Sequence, residues 1–376
     1  MLLQTAQPDE LAKGLATLDV REGETVMVLL AENTATDVPA VIKFFNDRGI
    51  PFFGGLFPGL VHGTERLEEG CILKKFKTAI PPVLVKNLSG KELEGLDRII
   101  IPVAREKMTI IVLLDGLTTH INHFLEGLNN SVGDKVNFIG GGAGSSSLQQ
   151  QLCLFNNDGF FMDAAICCVI ENKSELGVRH GWKKLAGPLV ATATEGSKIV
   201  QLNWQNAFEV YKSYMEDDKG GDITKKNFLE HTKDYPFGIF RENADEIVRD
   251  PIGVNAEGEV TCIGEVPPNT VLHILKSTPE MLIQAAADAM KDCKNHAGET
   301  FNPACTFVVD CITRPSALGD RFSEELHAIS DQLSIGSPEQ EPFGILSLGE
   351  ISSYGDGLLE FFNRTIVVGT FHNSTP

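Results

Sequence analysis

The sequence predicts an α/β fold, arranged as two related halves that each contain a mixed β-sheet with βα units and β-hairpins. Two observations support this class. Apolar runs of strand length alternate with segments whose apolar residues recur at helical spacing, and several strands end at glycines that lead into a hairpin. A strand, a helix and a second strand within about 30 residues form a βαβ unit, whose two strands are parallel.

The first half contains this unit twice. Residues 24–30 form a continuous apolar run typical of a buried strand, residues 37–48 have helical spacing, and residues 50–53 form the next strand. The pattern returns with a strand at 109–114, a helix at 118–128 and a strand at 136–139. A tight turn at 156–159 then predicts a hairpin between residues 152–155 and 160–170.

Residues 176–181 and 189–194 continue as strands, and Asn203 is a candidate N-cap for a helix over residues 207–215. The polar stretch 216–235 predicts an exposed insertion or linker. We therefore place the first domain at residues 1–205 and the second at 206–376, with 216–235 as the alternative boundary.

The second half begins with short strands and then repeats the α/β pattern. Strands are predicted at 237–240, 247–254, 259–263 and 270–274. Thr278-Pro279-Glu280 is typical of a helix start, here a helix to residue 291. A buried strand at 305–311, a helix from residue 323, a strand at 344–348 and a pair of strands at 358–362 and 365–371 complete the chain.

A short apolar strand followed by a glycine exit and a hairpin recurs three times, at Gly54-Gly55, Gly140-Gly141 and Gly349. We interpret this as a weak internal repeat that supports two similar halves.

Composition excludes several classes of function. The 376 residues include 32 basic and 51 acidic side chains, a net charge of −19, which argues against nucleic acid and anionic membranes as partners. Apolar runs are shorter than the roughly 20 residues of a membrane span, and the start of the chain lacks the pattern of a signal peptide. The eight cysteines include no Cys-x-x-Cys pair and most lie in apolar runs, which favours reduced thiols and a cytoplasmic location.

Several motifs resemble the FIST domain (F-box and intracellular signal transduction), from about residue 20 to residue 372. In the C-terminal part the matching residues are Cys311, Arg314, Gly319, Glu324, Glu325, Gly344, Gly349-Glu350-Ile351 and Asn363-x-Thr365. In the N-terminal part, Gly140–Ala143 and Asp158-Gly159 resemble the family's strand exit and hairpin. Two positions depart from the pattern: Phe362 stands where the family often has His, and Ile345 where it usually has an aromatic residue.

The resemblance implies a sensory, ligand-binding role in signalling, with small molecules such as amino acids as ligands. Output would go to a separate partner protein, for which a histidine kinase is a candidate. Some stand-alone bacterial relatives are haem-binding nitric-oxide sensors, so a haem-based gas sensor is the alternative.

Arg314, Asp310 and Glu350 are the first candidate binding residues, because they lie at the ends of the strands 305–311 and 344–348. An arginine there can bind a carboxylate and a glutamate can bind an ammonium group, which together suit an amino acid. The alternative is a structural Arg–Glu pair. If the binding role is correct, Arg314→Ala should abolish ligand-induced thermal stabilisation and leave the fold intact.

Four neighbours complete this candidate site. Cys311 is either a reactive thiol or, more in keeping with its apolar run, a packed one. Gly349 borders the strand end, and Gly141, Gly142 and Ser145 belong to the glycine-rich run 140–147. That run forms either an anion-binding nest or, as we favour, a tight strand exit, because it lacks the residues of a nucleotide-binding loop.

Metal binding and catalysis find little support in the sequence. His120-x-x-His123 lacks a third ligand of matching type nearby, so zinc is disfavoured. For haem, His62, His120, His180 and His327 are all candidate axial ligands, and the sequence does not rank them. Familiar catalytic motifs are absent, so we expect a binding protein, with an uncharacterised enzyme as a further alternative.

Overall fold

The computed structural model describes residues 1–101, 108–133, 136–242, 245–333, 340–354 and 358–372. The helices are α1 Pro8–Leu18, α2 Val38–Asn46, α3 Ile121–Val132, α4 Ala207–Lys219, α5 Phe228–Thr232, α6 Pro279–Ala297, α7 Thr313–Leu318 and α8 Phe322–Ser330. The first twelve strands are β1 Leu2–Leu3, β2 Glu24–Ala31, β3 Phe52–Phe57, β4 Gly59–His62, β5 Glu65–Leu67, β6 Cys71–Lys77, β7 Val83–Lys86, β8 Met108–Asp115, β9 Val136–Ala143, β10 Leu154–Asn156, β11 Gly159–Phe161 and β12 Ala164–Ile170. The remaining strands are β13 Ser174–Arg179, β14 Lys183–Glu195, β15 Lys198–Leu202, β16 Gln205–Asn206, β17 Phe237–Ile239, β18 Ile247–Val254, β19 Val260–Ile263, β20 Thr270–Lys276, β21 Cys305–Cys311, β22 Phe343–Ser347, β23 Glu350–Tyr354, β24 Leu358–Phe362 and β25 Ile366–Phe371.

Three repeated units form most of the molecule, which we call the body. Each unit runs strand, helical segment, parallel strand, hairpin and returning strand. The first unit contains β2 to β6, the second β8 to β12 and the third β21 to β25. In each, the first two strands are parallel and the returning strand pairs antiparallel with the first.

The three units exchange their hairpins in a ring. The hairpin of the first unit extends the sheet of the third, that of the second extends the sheet of the first, and that of the third extends the sheet of the second. The other edge of each six-stranded sheet is a separate strand, β1, β7 or β13. Neighbouring units therefore complete one another's sheets.

One glycine in each unit occupies the same position in the register. Gly54, Gly140 and Gly344 face Val28, Val112 and Val308, respectively, across the parallel pair. A Cβ atom on these glycines would lie 2.0, 1.7 and 2.0 Å from the carbonyl oxygen of the facing valine. Close backbone approach thus explains Gly54 and Gly140 of the repeat seen in the sequence, whereas the matching glycine of the third unit is Gly344 and not Gly349.

The core of the body lies between its three sheets. Met27, Ile111 and Val309 belong to one cluster that joins the inner faces of all three sheets. The outer faces are covered by helices, with α1 and α2 on the first sheet, α3 on the second and α6 and α8 on the third.

A closed antiparallel barrel, which we call the barrel, lies between β13 and α6 in the sequence. Its strands follow the order β14, β20, β17, β18, β19 and β15, and β15 pairs back with β14. Helix α4 places Tyr211 and Met215 in its core, and α5 adds Phe228. The predicted domain boundary at residue 205 falls within β16, beside this barrel.

The predicted α/β class and the two parallel pairs predicted for the first half are confirmed. The repeat, interpreted from the sequence as support for two similar halves, is threefold in the structure, with a third parallel pair between β21 and β22. Four local predictions need correction. The segments 358–362 and 365–371 do not pair, because Asn363 and Arg364 carry the chain from one sheet to another. Likewise, 160–170 divides into β11 and β12, which lie in different sheets.

The other two corrections concern the region around α4. The stretch 216–235 is not a linker, since it contains α5 and buries Ile223, Phe228 and Tyr235 against the barrel. The N-cap is Asn206 rather than Asn203, and its side chain accepts a hydrogen bond from the Glu209 N–H. Among the helices of the described residues, none combines the length and the apolar character that a membrane crossing requires.

Candidate functional site

A cavity of about 410 Å³ lies where the barrel meets the body. The third unit contributes Cys311, Gly349 and the Asn363–Arg364 turn, and the barrel contributes Asp250 and residues around α5. The second unit contributes Ser146 and Leu148 from the segment that follows β9. The cavity is therefore built from the body and the barrel together.

The floor of the cavity is formed by two strand ends that the sequence predicts to meet. Strands β21 and β22 are parallel neighbours, with Cys311 opposite Ser347 in the register. Helix α7 begins directly after β21, and Gly349 follows β22. This is the position at which open α/β sheets hold their ligands.

Arg364 joins the two parts of the molecule. It is 3% exposed and has a φ of 53°, an unusual conformation for a residue other than glycine. Its guanidinium group donates to the Asp250 carboxylate and to the Lys233 carbonyl, both in the barrel, and lies 4.9 Å from the Trp182 ring. A backbone turn of the body thus holds the barrel through a buried ion pair.

Two polar atoms of this turn have no partner among the described residues. They are the Oδ1 of Asn363 and the Nε of Arg364, and both are buried. Buried polar groups are almost always hydrogen-bonded, so an acceptor and a donor left over at a cavity are groups that a ligand or an ordered water can complete.

A cluster of charged side chains lies behind the floor. Arg314 is 1% exposed, and its Nε donates to Glu325 Oε1 at 2.9 Å. Its other nitrogens donate to the carbonyls of His180, Leu282 and Arg364, at 2.7, 3.0 and 3.1 Å, respectively, and to Glu325. The guanidinium group is therefore surrounded by protein acceptors and does not line the cavity.

Asp310 and Glu350 belong to the same cluster. Asp310 lies 3.3 Å from the Nε of Arg314, and Glu350 accepts hydrogen bonds from the Ser347 hydroxyl at 2.7 Å and the Thr365 N–H at 3.2 Å. Burial raises the pKa of Glu350 to about 8. Burial, reinforced by the Glu325 charge, raises the pKa of Asp310 well above its ordinary value.

The structure brings most of the predicted site residues together, in two layers. Cys311 and Gly349 line the cavity, whereas Arg314, Asp310 and Glu350 lie behind them. Burial raises the pKa of the Cys311 thiol well above its ordinary value, as expected of a packed cysteine. Binding at these residues stays a prediction.

The glycine-rich run serves the packing of the sheet. Gly141 pairs with Glu350 in the ladder, and the Gly142 N–H donates to the Gly349 carbonyl at 2.8 Å. Ser145 bonds with Ser147 beside the cavity, and its neighbour Ser146 lines it. A strand exit, the interpretation that we favour from the sequence, agrees with this geometry.

The four histidines considered for haem have different partners. His62 is near Glu341, and His120 and His327 each bond a backbone carbonyl at the surface. His180 is buried and accepts a hydrogen bond from the Trp182 N–H, and burial lowers its pKa to about 4. Since none of the residues described around the 410 Å³ cavity is a histidine, this cavity does not fit a haem with a histidine axial ligand.

No group of side chains in the described residues is arranged to hold a metal ion. A second cavity of about 380 Å³ adjoins the first and shares Ile252 and Ile263 with it. It also lies between barrel and body, bordered by Gly116–Asn122 and by β19.

Sequence reasoning missed three contributors to the cavity: Arg364, Asp250 and Leu148, which directly follows the predicted run 140–147. A signal was present for the first, because Asn363-x-Thr365 is part of the family pattern and Arg364 lies within it. Asp250 lies inside an apolar strand run, and its partner is 114 residues away in the sequence.

Comparison with protein families agrees with the resemblance seen in the sequence. The FIST N domain matches residues 4–205, and the FIST C domain matches residues 207–353. The two matches together cover most of the chain. No curated protein matches it.

Proposed function

Because the chain belongs to the FIST family, whose domains are associated with sensory signal transduction and small-ligand binding, we propose that it is a cytoplasmic sensory module. It binds a small molecule, an amino acid or a similar metabolite, in the 410 Å³ cavity between barrel and body. Occupancy is passed to a separate signalling protein, for which a histidine kinase is a candidate. The role is binding rather than catalysis.

The observation that supports this proposal most strongly is that departures from the threefold repeat meet at this cavity. The crossing from the second parallel strand to the hairpin contains one residue in the first unit and two in the third, but ten in the second, residues 144–153. This long crossing carries Ser146 and Leu148 to the cavity. The barrel, which has no counterpart among the residues described before the first two units, forms the opposite wall.

The lining suits a small polar metabolite. Asn363 offers an acceptor and Arg364 a donor, while Leu148, Leu229 and Ile252 give the cavity partly exposed apolar walls. Ligand sites commonly combine apolar walls with a few polar groups that fix orientation.

A thermal-shift screen with amino acids and related metabolites tests the proposal. A ligand at 100 times its Kd should stabilise the chain by about 2.7 kcal/mol, which raises the melting temperature. Ser316→Trp places a bulky ring at an exposed position of the lining and should abolish that shift. Ser323→Trp, exposed on α8 and outside the lining, is the matched control.

The proposal fails if no metabolite shifts the melting temperature, or if a shift is equal in Ser316→Trp and in the control. A hemin titration examines the alternative gas sensor. A haem absorption band at one haem per chain, lost on a single His→Ala change, would replace the metabolite by haem.

A further inference from the structure

We infer that a proton-binding site lies behind the floor of the cavity, formed by the carboxyl groups of Asp310 and Glu350, and that its ionisation loosens the joint between barrel and body. This inference rests on the proposed function in one respect, since it treats that joint as the part of the molecule that signals. The proton would be a second input beside the metabolite.

Three buried carboxyl groups share one cation behind the floor of the cavity. Asp310, Glu325 and Glu350 are each 0% exposed, and the cation among them is Arg314. Arg314 donates twice to Glu325, so that pair neutralises itself. If ionised, Asp310 and Glu350 would then be buried without a cation of their own. Burying such unpaired charges is unfavourable in free energy, so both groups are expected to hold protons.

The hydrogen bonds around Asp310 agree with this count. Neither of its oxygens has a hydrogen-bond partner among the described residues. Its neighbouring donors are directed elsewhere, the Cys311 N–H to the Thr365 carbonyl at 3.3 Å and the Arg314 Nε to Glu325. An ionised Asp310 would lack the donors that a buried carboxylate needs, whereas a protonated one carries no charge.

The first two units of the repeat have leucine where the third has these two acids. The register places Leu30 and Leu114 of the first two units at the position of Asp310. It places Leu60 and Leu154 at the position of Glu350. All four leucines are 0% exposed. The architecture is therefore satisfied by leucine at both positions, and the two acids of the third unit are not required by the fold.

A chain of contacts leads from these acids to the barrel. Arg314, beside Asp310, donates to the Arg364 carbonyl at 3.1 Å. Arg364 in turn binds Asp250 and the Lys233 carbonyl in the barrel. A new negative charge at Asp310 or Glu350 attracts Arg314 toward it and away from the Arg364 carbonyl, which weakens the anchor of the joint.

The direction of the pH effect follows from the groups that face the pair. These are Arg314 of α7, Glu325 of α8 and Cys311 of β21, with His180 behind Arg314 and the Asp250–Arg364 pair on the barrel side. Burial raises the pKa of Glu350 from 4.5 to about 8. The folded chain thus holds more protons than the unfolded chain between these values, and this contribution to stability is lost as pH rises through about 8.

The experiment uses Trp182 as a reporter, because its ring lies against Arg364. The chain contains two tryptophans, so Trp204→Phe makes Trp182 the only tryptophan that fluoresces. We expect its fluorescence to change in one transition between about pH 5 and about pH 9.5. Adding Asp310→Asn and Glu350→Gln together should abolish the transition, and Glu350→Gln alone should reduce or shift it.

The matched control is Glu280→Gln in the same Trp204→Phe background, since Glu280 is an exposed acid on α6. It should leave the transition unchanged. A transition that persists in the Asp310→Asn, Glu350→Gln chain, or that is equally lost in the control, would overturn the inference.

A second measurement does not depend on the joint. Infrared absorption of protonated carboxyl groups at neutral pH should be present in the parent chain and lost in the double variant. If the parent chain and the double variant give the same infrared absorption, the proton site is disproved. If they differ but Trp182 fluorescence does not respond to pH, the coupling of the site to the joint is disproved. A negative metabolite screen with both signals present would reject the proposed metabolite site and leave the proton site standing.

Discussion

The first two units of the body and the third unit have the same strand order, yet they differ at the ends of their parallel strands. In the first two units these ends are packed with leucine, as at Leu30 and Leu114. In the third, Asp310 occupies the matching position and Arg314 follows on α7. Glu350 of the third hairpin stands where the first two units have Leu60 and Leu154. The strand order that the three units share forms the fold. The candidate site is formed by the charged residues that only the third unit has at these positions.

The comparison also shows how a repeat can gain a cavity without losing its core. The inner faces of all three sheets pack in one apolar cluster. The polar residues of the third unit lie at strand ends, where the barrel covers them. A site at this edge leaves the apolar interior of the sheets in place.

The largest expected effect comes from breaking the buried cluster. Arg314→Ala would leave Glu325 without its cation and three carbonyls without a donor, so we expect the free energy of unfolding to fall by about 3–5 kcal/mol. Urea unfolding measures this. This expected destabilisation replaces the sequence-based expectation that Arg314→Ala leaves the fold intact.

Arg321→Ala is the matched control for that variant. Arg321 pairs with Glu280 and Glu324 at the surface, where ion pairs contribute at most about 1 kcal/mol. Equal losses in the two variants would mean that the buried cluster stabilises the fold no more than a surface ion pair does.

A smaller effect should be the same in all three units. Ala in place of Gly54, Gly140 or Gly344 directs a Cβ atom at the carbonyl of the facing valine, and overpacking of this kind costs about 1–3 kcal/mol. Urea unfolding of the three variants should therefore give similar losses.

Gly253→Ala is the control for the glycines, because a Cβ atom there meets nothing within 4 Å. A loss confined to one unit would show that the threefold equivalence of the register does not extend to energetics.

Much of this fold could be predicted because buried strands appear in the sequence as continuous apolar runs. Strand β21 has the predicted limits, 305–311, since every one of its residues is buried and the run is continuous. The hairpin exchange could not be predicted in the same way. Asn363-Arg364 resembles a hairpin turn, and only the closure of the ring sends β24 and β25 to different sheets.

The candidate site was predictable at its floor and not at its walls. Cys311 and Gly349 follow from the rule that ligands gather at the carboxyl ends of strands. The partners of Arg314 depend on distances in space: Glu325 lies one helix further on, and the His180 carbonyl is 134 residues away. A motif shows which residues a site contains, but not which of them reach the cavity.

The smallest effect on stability is expected at the long crossing of the second unit, which distinguishes it from the other two. Leu148 is 50% exposed and lines the cavity, whereas Leu152 is 44% exposed on the same crossing and does not. Changing either to Ser should alter the free energy of unfolding by no more than about 0.5 kcal/mol. A metabolite that covers the exposed part of Leu148 gains about 1 kcal/mol from it, so Leu148→Ser should raise the Kd roughly fivefold, while Leu152→Ser should not. Isothermal titration with a metabolite from the thermal-shift screen distinguishes the two, and equal Kd values would mean that the long crossing takes no part in binding.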